Sequence, residues 1–118
     1  MTANAFIECS LILINVYDIN SDTHFLDIAD YLLHKLEPYA QRELLLLNKM
    51  QIKKRRNGLS LEDLSIISRI DSGELHILFG KYVLLGNKQQ AKKYFDKFTI
   101  EEKERYKQFP IYELYKKI

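Results

Sequence analysis

The sequence predicts an all-α protein, built of antiparallel helical hairpins stacked in a small bundle of about six to seven helices. Three observations point there. Apolar residues recur at three- and four-residue spacing through most of the chain. Gly and Pro number only four and two in 118 residues, few for a β-rich or loop-rich fold, and Leu, Ile, Lys, Glu and Tyr dominate. No hairpin turn lies between two alternating apolar–polar runs, and β-branched residues are scattered.

The first helix is expected from about Asn4 to Tyr17. Phe6, Ile7, Leu11, Ile14 and Val16 populate more than one of its faces, so it should be buried on two sides, in a bundle or at an oligomer contact. Asp18 to Asp22 reads as the connecting loop, with Ser21 or Asp22 able to cap the next helix. That helix carries Phe25, Ile28, Ala29, Leu32, Leu33 and Leu36 at a period near 3.6. Pro38 ends or kinks it. A third helix is expected from about Tyr39 to Arg56, its middle buried because Leu44, Leu45, Leu46 and Leu47 cover most of its circumference. Asn57-Gly58 stops it, with Gly58 free to turn left-handed.

Three start signals follow. Ser60 stands three residues before Asp63, with Leu59 and Leu64 placed as a hydrophobic staple. Asp71-Ser72-Gly73-Glu74 repeats the cap pattern, with Ile70 and Leu75 as its staple. Thr99-Ile100-Glu101-Glu102 is the third. These predict helical segments at about 61–69, 74–85, 88–97 and 100–108. Pro110 suits the first turn of a last helix. Ile111, Leu114 and Tyr115 give that helix an apolar face, and Lys116 and Lys117 suit its end.

A chain of 118 residues, 47% hydrophobic, has enough apolar surface for one helical domain, 1–118. A start immediately before a helix would also suit a part of a larger protein. The single cysteine, Cys9, excludes an internal disulfide and a thiolate zinc site, and its apolar neighbours mark it as a small buried hydrophobe. No apolar run approaches the ~20 residues that span a bilayer, and none resembles a signal peptide. A cytoplasmic location without membrane contact is expected by default. Residues 1–48 hold two Lys/Arg and seven Asp/Glu, net −5, while residues 49–118 hold sixteen and nine, net +7. That reads as a dipolar molecule, suited to docking between copies or between its own parts.

The segment from Glu74 to Phe98 carries the strongest pattern. Leu75, Leu78, Tyr82 and Leu85 line one face of a helix, and Ala91, Tyr94, Phe95 and Phe98 one face of the next. Gly86 allows the reversal, and the small Ala91 allows close approach. Two such helices leave apolar surface uncovered and need neighbours. Over residues 74–103, about one repeat, the spacing resembles a tetratricopeptide repeat. Leu75, Leu78, Tyr82, Gly86, Ala91 and Phe95 are the matching positions. Phe79 departs from the pattern where a small residue is usual, Phe98 where alanine is, and Lys103 where proline is. The resemblance implies TPR-like stacking and a scaffold that binds a protein or peptide on a concave helical surface.

Lys49, Lys53, Lys54, Arg55 and Arg56 form the densest cation cluster. Clustered cations can neutralise phosphates and bind nucleic acid, or simply complement a helix C-terminus. Lys88, Lys92, Lys93 and Lys97 form a second set at helical spacing. Phe109, Ile111, Tyr112 and Tyr115 read either as a closing helix or as an aromatic docking surface. His24, His34 and His76 are too dispersed for a metal site, and no HExxH, CxxC, GxSxG, phosphate-loop or dinucleotide glycine pattern occurs. No catalytic residue, cofactor or metal is expected. The function expected is a non-enzymatic helical module for a protein or peptide partner, including a second copy of the chain. The alternative is a small regulatory or nucleic-acid-associated protein using residues 49–56.

Overall fold

The computed structural model describes residues 2–118, and every regular element among them is a helix. The helices number eight, and the chain divides into two compact units, one ending at Gly58 and the other beginning at Leu59.

The N-terminal unit holds α1 (Ala3–Asn20), α2 (Thr23–Lys35) and α3 (Arg42–Arg56). The Thr2 hydroxyl starts α1 by accepting from the Ala5 amide at 3.2 Å. The helix runs three residues past the expected end at Tyr17. Ser21 then turns left-handed, φ 60°, and its amide donates to the Tyr17 carbonyl at 2.7 Å. The expected loop thus shrinks to Ser21 and Asp22. Asp22 provides the cap of α2, accepting from the His24 amide at 3.0 Å. The third helix starts at Arg42 rather than Tyr39. The Tyr39 and Ala40 amides donate back to the Leu36 carbonyl, which folds the Pro38 region into a turn.

The core of this unit is Ile7, Ile14, Leu26, Ala29, Leu33, Leu36, Leu45 and Ile52, with Phe6, Leu11, Leu13 and Tyr17 packed against it. It is almost wholly aliphatic. The α2 stripe is buried as expected at Ala29, Leu33 and Leu36, while Phe25, Ile28 and Leu32 are half-buried and Leu26, outside the expected set, is fully buried. On α3 the polar Asn48 and Gln51 are also buried, Gln51 Nε2 donating to Asn48 Oδ1 at 3.1 Å.

The C-terminal unit holds α4 (Leu61–Ser68), α5 (Leu75–Leu84), α6 (Lys88–Phe95), α7 (Ile100–Tyr106) and α8 (Pro110–Lys117). Two of these are short and start with a capping box. The Ser60 hydroxyl accepts from the Asp63 amide at 3.1 Å while Asp63 accepts from the Ser60 amide at 2.9 Å. Thr99 and Glu102 repeat the exchange at 3.1 and 2.9 Å. The eight helices match the segments read one by one along the sequence, and exceed the six to seven expected of the bundle. The Asp71–Glu74 pattern is not a box. Ser72 accepts from the Glu74 amide at 3.1 Å, and Glu74 caps α5 with no side-chain bond. Gly58 and Gly86 take the left-handed φ expected of them, 79° and 74°.

Helix α5 packs against α4, α6 and α8. Its buried residues are Ile77, Phe79, Gly80, Val83 and Leu84, whereas the expected face, Leu75, Leu78, Tyr82 and Leu85, is half-buried. A helix with neighbours on three sides buries more than one stripe. Phe79 is completely buried, with its ring centroid 5.1–5.9 Å from those of Phe95, Phe98, Tyr106 and Tyr115. The position at which the repeat pattern wants a small residue is therefore the centre of an aromatic core. Ala91 is fully buried on α6, as close approach of α5 and α6 requires.

Candidate interaction surface

The helix α1 carries two apolar stripes. Ala3, Ile7, Ser10, Ile14 and Tyr17 recur at steps of four and three; Ile7, Ser10 and Ile14 are buried, and Ala3 and Tyr17 pack on the core. The Ser10 hydroxyl is satisfied there, donating to the Phe6 carbonyl at 2.9 Å. Ala5, Cys9, Ile12, Val16 and Ile19 repeat the same steps two residues on. Two residues are about 200° round a helix, so this second stripe lies on the opposite side. It is open: Ile12 is 59% and Ile19 86% exposed, and Ala5, Cys9 and Val16 are only partly covered. Cys9 is thus a free, half-buried thiol on an outer face, not the buried hydrophobe its neighbours suggested.

The start of α1 also borders a shallow cleft of about 540 Å³, lined by Ala3, Phe6, Lys35, Leu36 and the exposed Tyr39. Tyr31, 59% exposed on α2, adds a further large ring to the surface of this unit. The two large exposed aliphatics of the C-terminal unit, Leu61 and Ile100, are isolated first residues of α4 and α7.

The cation cluster is largely engaged within its own unit. Arg55 Nε and Nη2 grip Asp18 at 2.7 and 3.0 Å, while Nη1 donates to the Gln51 carbonyl at 3.0 Å. The Arg55 side chain is 6% and the Asp18 side chain 23% exposed, so this pair is mostly shielded from water. Arg56 bridges Asp27 at 2.5 Å and Asp30 at 3.3 Å. Lys49 pairs with Glu37, and its hydrogen bond and charge hold that carboxyl below the usual range. Lys53 and Lys54 are exposed. The unit ending at Gly58 holds seven Lys/Arg and seven Asp/Glu, so it has no formal net charge. Of the two uses read from the uneven charge, docking between the chain's own parts is the one this unit displays. The charge boundary at residue 48 falls inside α3, and the cations beyond it fold back on the acids before it.

The second basic set is also spoken for. Lys88 donates to the Tyr115 carbonyl at 2.8 Å and lies 3.9 Å from that ring's centroid. Lys92 pairs with Asp96 at 2.7 Å. Lys93 and Lys97 stand over the Tyr94 ring, which stacks on Tyr82 with centroids 5.7 Å apart.

The terminal aromatic group packs as a closing helix, the first of its two readings. Ile111 and Tyr115 are buried, Phe109 and Tyr112 half-buried, and Tyr115 rests against Phe79 and Phe95. Burial pushes the Tyr106 phenol of the same cluster up to about 12 and raises Tyr115 as well. The histidines stay dispersed: His34 Nδ1 lies 3.5 Å from Glu37, and His76 Nε2 3.1 Å from Glu74. Among the described residues no group of three His, Cys, Asp or Glu could hold a metal ion, and no helix is long and apolar enough to cross a membrane.

The fold and its surface thus define an all-α protein of two helical units with one helix face left apolar and open. Comparison with protein-family models, with curated proteins and with solved structures found no match.

Proposed function

We propose that this protein is a non-enzymatic helical interaction module that engages a protein partner through the outer face of α1. The observation that carries the reading is the open stripe Ala5, Cys9, Ile12, Val16 and Ile19, opposite a stripe already used by the core. Apolar residues gathered on one exposed face gain free energy when covered, whereas scattered ones are ordinary surface. The α5–α6 hairpin with its Gly86 turn supports a scaffold reading of residues 74–103, in which the C-terminal unit acts as a rigid support. Nucleic-acid binding through residues 49–56 is the weaker reading, because Lys49, Arg55 and Arg56 already have carboxylate partners.

The test is differential capture from nuclease-treated extract of the native host. The tagged parent should recover a protein partner that an Ile12→Glu bait does not. Equal recovery by both baits would remove α1 from the reading. Recovery that vanishes with nuclease would turn it towards nucleic acid.

A further inference from the structure

We infer that the occupant of the α1 outer face is α1 of a second copy, packed across a two-fold axis. This rests on the interaction reading above and names its partner.

The register of the stripe argues for a helix as occupant. Residues 5, 9, 12, 16 and 19 are separated by four, three, four and three. That is the alternation by which one helix sets knobs into the holes of another, and an extended peptide has no use for it. The stripe is also the wrong chemistry for a lipid surface. Interfacial helices present Lys and Arg beside their apolar face, whereas α1 contains neither, and its two charges are Glu8 and Asp18.

Charge then argues for self-pairing. A two-fold contact sets a patch against its own copy, so any charge within the patch must be tolerated by residues of the same patch. The five stripe residues carry none. The positions flanking them are Phe6 and Leu13 on one side, Glu8 and Asn15 on the other. Asp18 lies off the stripe and is held by Arg55 at 2.7 Å. The unit itself is formally neutral and the full chain carries only +2, so little net repulsion opposes the approach of two copies. A strongly basic or acidic partner would find no complementary field here.

Size sets the strength. From residue 5 to residue 19 the seam runs about 21 Å at 1.5 Å per residue. One such seam falls below the roughly 1,200 Å² at which standard stable interfaces begin. The dimer is therefore reversible and dependent on concentration.

The test combines mass with the chemistry of Cys9, the only thiol in the chain. Sedimentation equilibrium of the full chain should show the average mass rising from 14.0 kDa towards twice that value as concentration increases. Ile12→Glu and, separately, Ile19→Lys should each weaken association at least about tenfold, a change of ~1.4 kcal/mol. Both side chains are exposed, so the helical circular dichroism and melting temperature should stay those of the parent. Alkylation of Cys9 by iodoacetamide should slow over the concentration range in which the mass rises, because the thiol enters the seam. A 14.0 kDa species at every concentration would overturn the second copy as occupant, while leaving the capture experiment to judge the interaction reading. A dimer that neither substitution weakens, or alkylation that ignores concentration as the dimer forms, would place self-association on another face and overturn the inference equally.

Discussion

The two units spend similar lengths of chain on different kinds of cohesion. The C-terminal unit closes on an aromatic centre, where one ring, Phe79, meets four others. The N-terminal unit has an aliphatic core and is tied at its edges by ion pairs that link residues 26 to 37 positions apart. Large rings bury much area per residue, so five short helices can cover one another. Three longer helices with smaller side chains leave one side of α1 open. A helix with two apolar faces in a three-helix unit has one face more than its neighbours can use.

Five substitutions, one of them read by titration, would break or sharpen that contrast. The largest effect is expected from Phe79→Ala, which removes the ring that four others touch. It should cost about 3–5 kcal/mol by urea denaturation and flatten the near-ultraviolet circular dichroism of the aromatic cluster. A loss below one kcal/mol would mean that the cluster is not cooperative. Ala91→Leu adds volume where no surface is exposed, and should cost roughly 1–3 kcal/mol by overpacking. If this variant melts like the parent, α5 and α6 are not tightly crossed there.

In the N-terminal unit, Asp18→Ala takes the carboxylate from Nε and Nη2 of Arg55, whose side chain is 6% exposed, and leaves Nη1 on the Gln51 carbonyl. The expected loss is about 1.5–3 kcal/mol, with faster amide exchange in α1 and α3. An unchanged exchange pattern would show that Arg55 finds water or another acceptor. The titration belongs to the aromatic unit. The Tyr106 phenol is raised to about 12 from 10.0, so its neutral form is the one the fold favours. Its contribution is complete below pH 10 and is lost as pH rises from 10 towards 12. Stability in that window should therefore fall less steeply in Tyr106→Phe than in the parent, as read by chemical denaturation at successive pH values. Lys54→Gln is the smallest, within about 0.5 kcal/mol, because the side chain is solvated. A larger loss would mean that the cationic end of α3 does more than complement its helix dipole.

The candidate surface was only half legible. That α1 is apolar on more than one face is plain from Phe6, Ile7, Leu11, Ile14 and Val16. Which face stays open is not, since Ile14 and Val16 look alike until α2 covers one of them. Heptad counting along 5, 9, 12, 16 and 19 was the signal available, and it is hidden by a parallel count along 3, 7, 10, 14 and 17. The pairing of the cluster at 49–56 was not legible at all, since five cations in eight residues say nothing of carboxylates far earlier in the chain.

What the sequence determined by itself is that these segments are helical, and several of their ends. The boxes at Ser60–Asp63 and Thr99–Glu102, the left-handed Gly58 and Gly86, and Pro110 at the head of α8 all act within about one turn of backbone, where the nearest residues suffice. Only the tertiary structure decided that Phe79 rather than Leu78 is fully buried. It alone divided the chain at residue 58, neutralised the cations of α3, and left Ile12 and Ile19 in water. Each of these depends on which distant element comes to lie alongside, and burial and ion pairing follow that proximity rather than the identity of neighbouring residues.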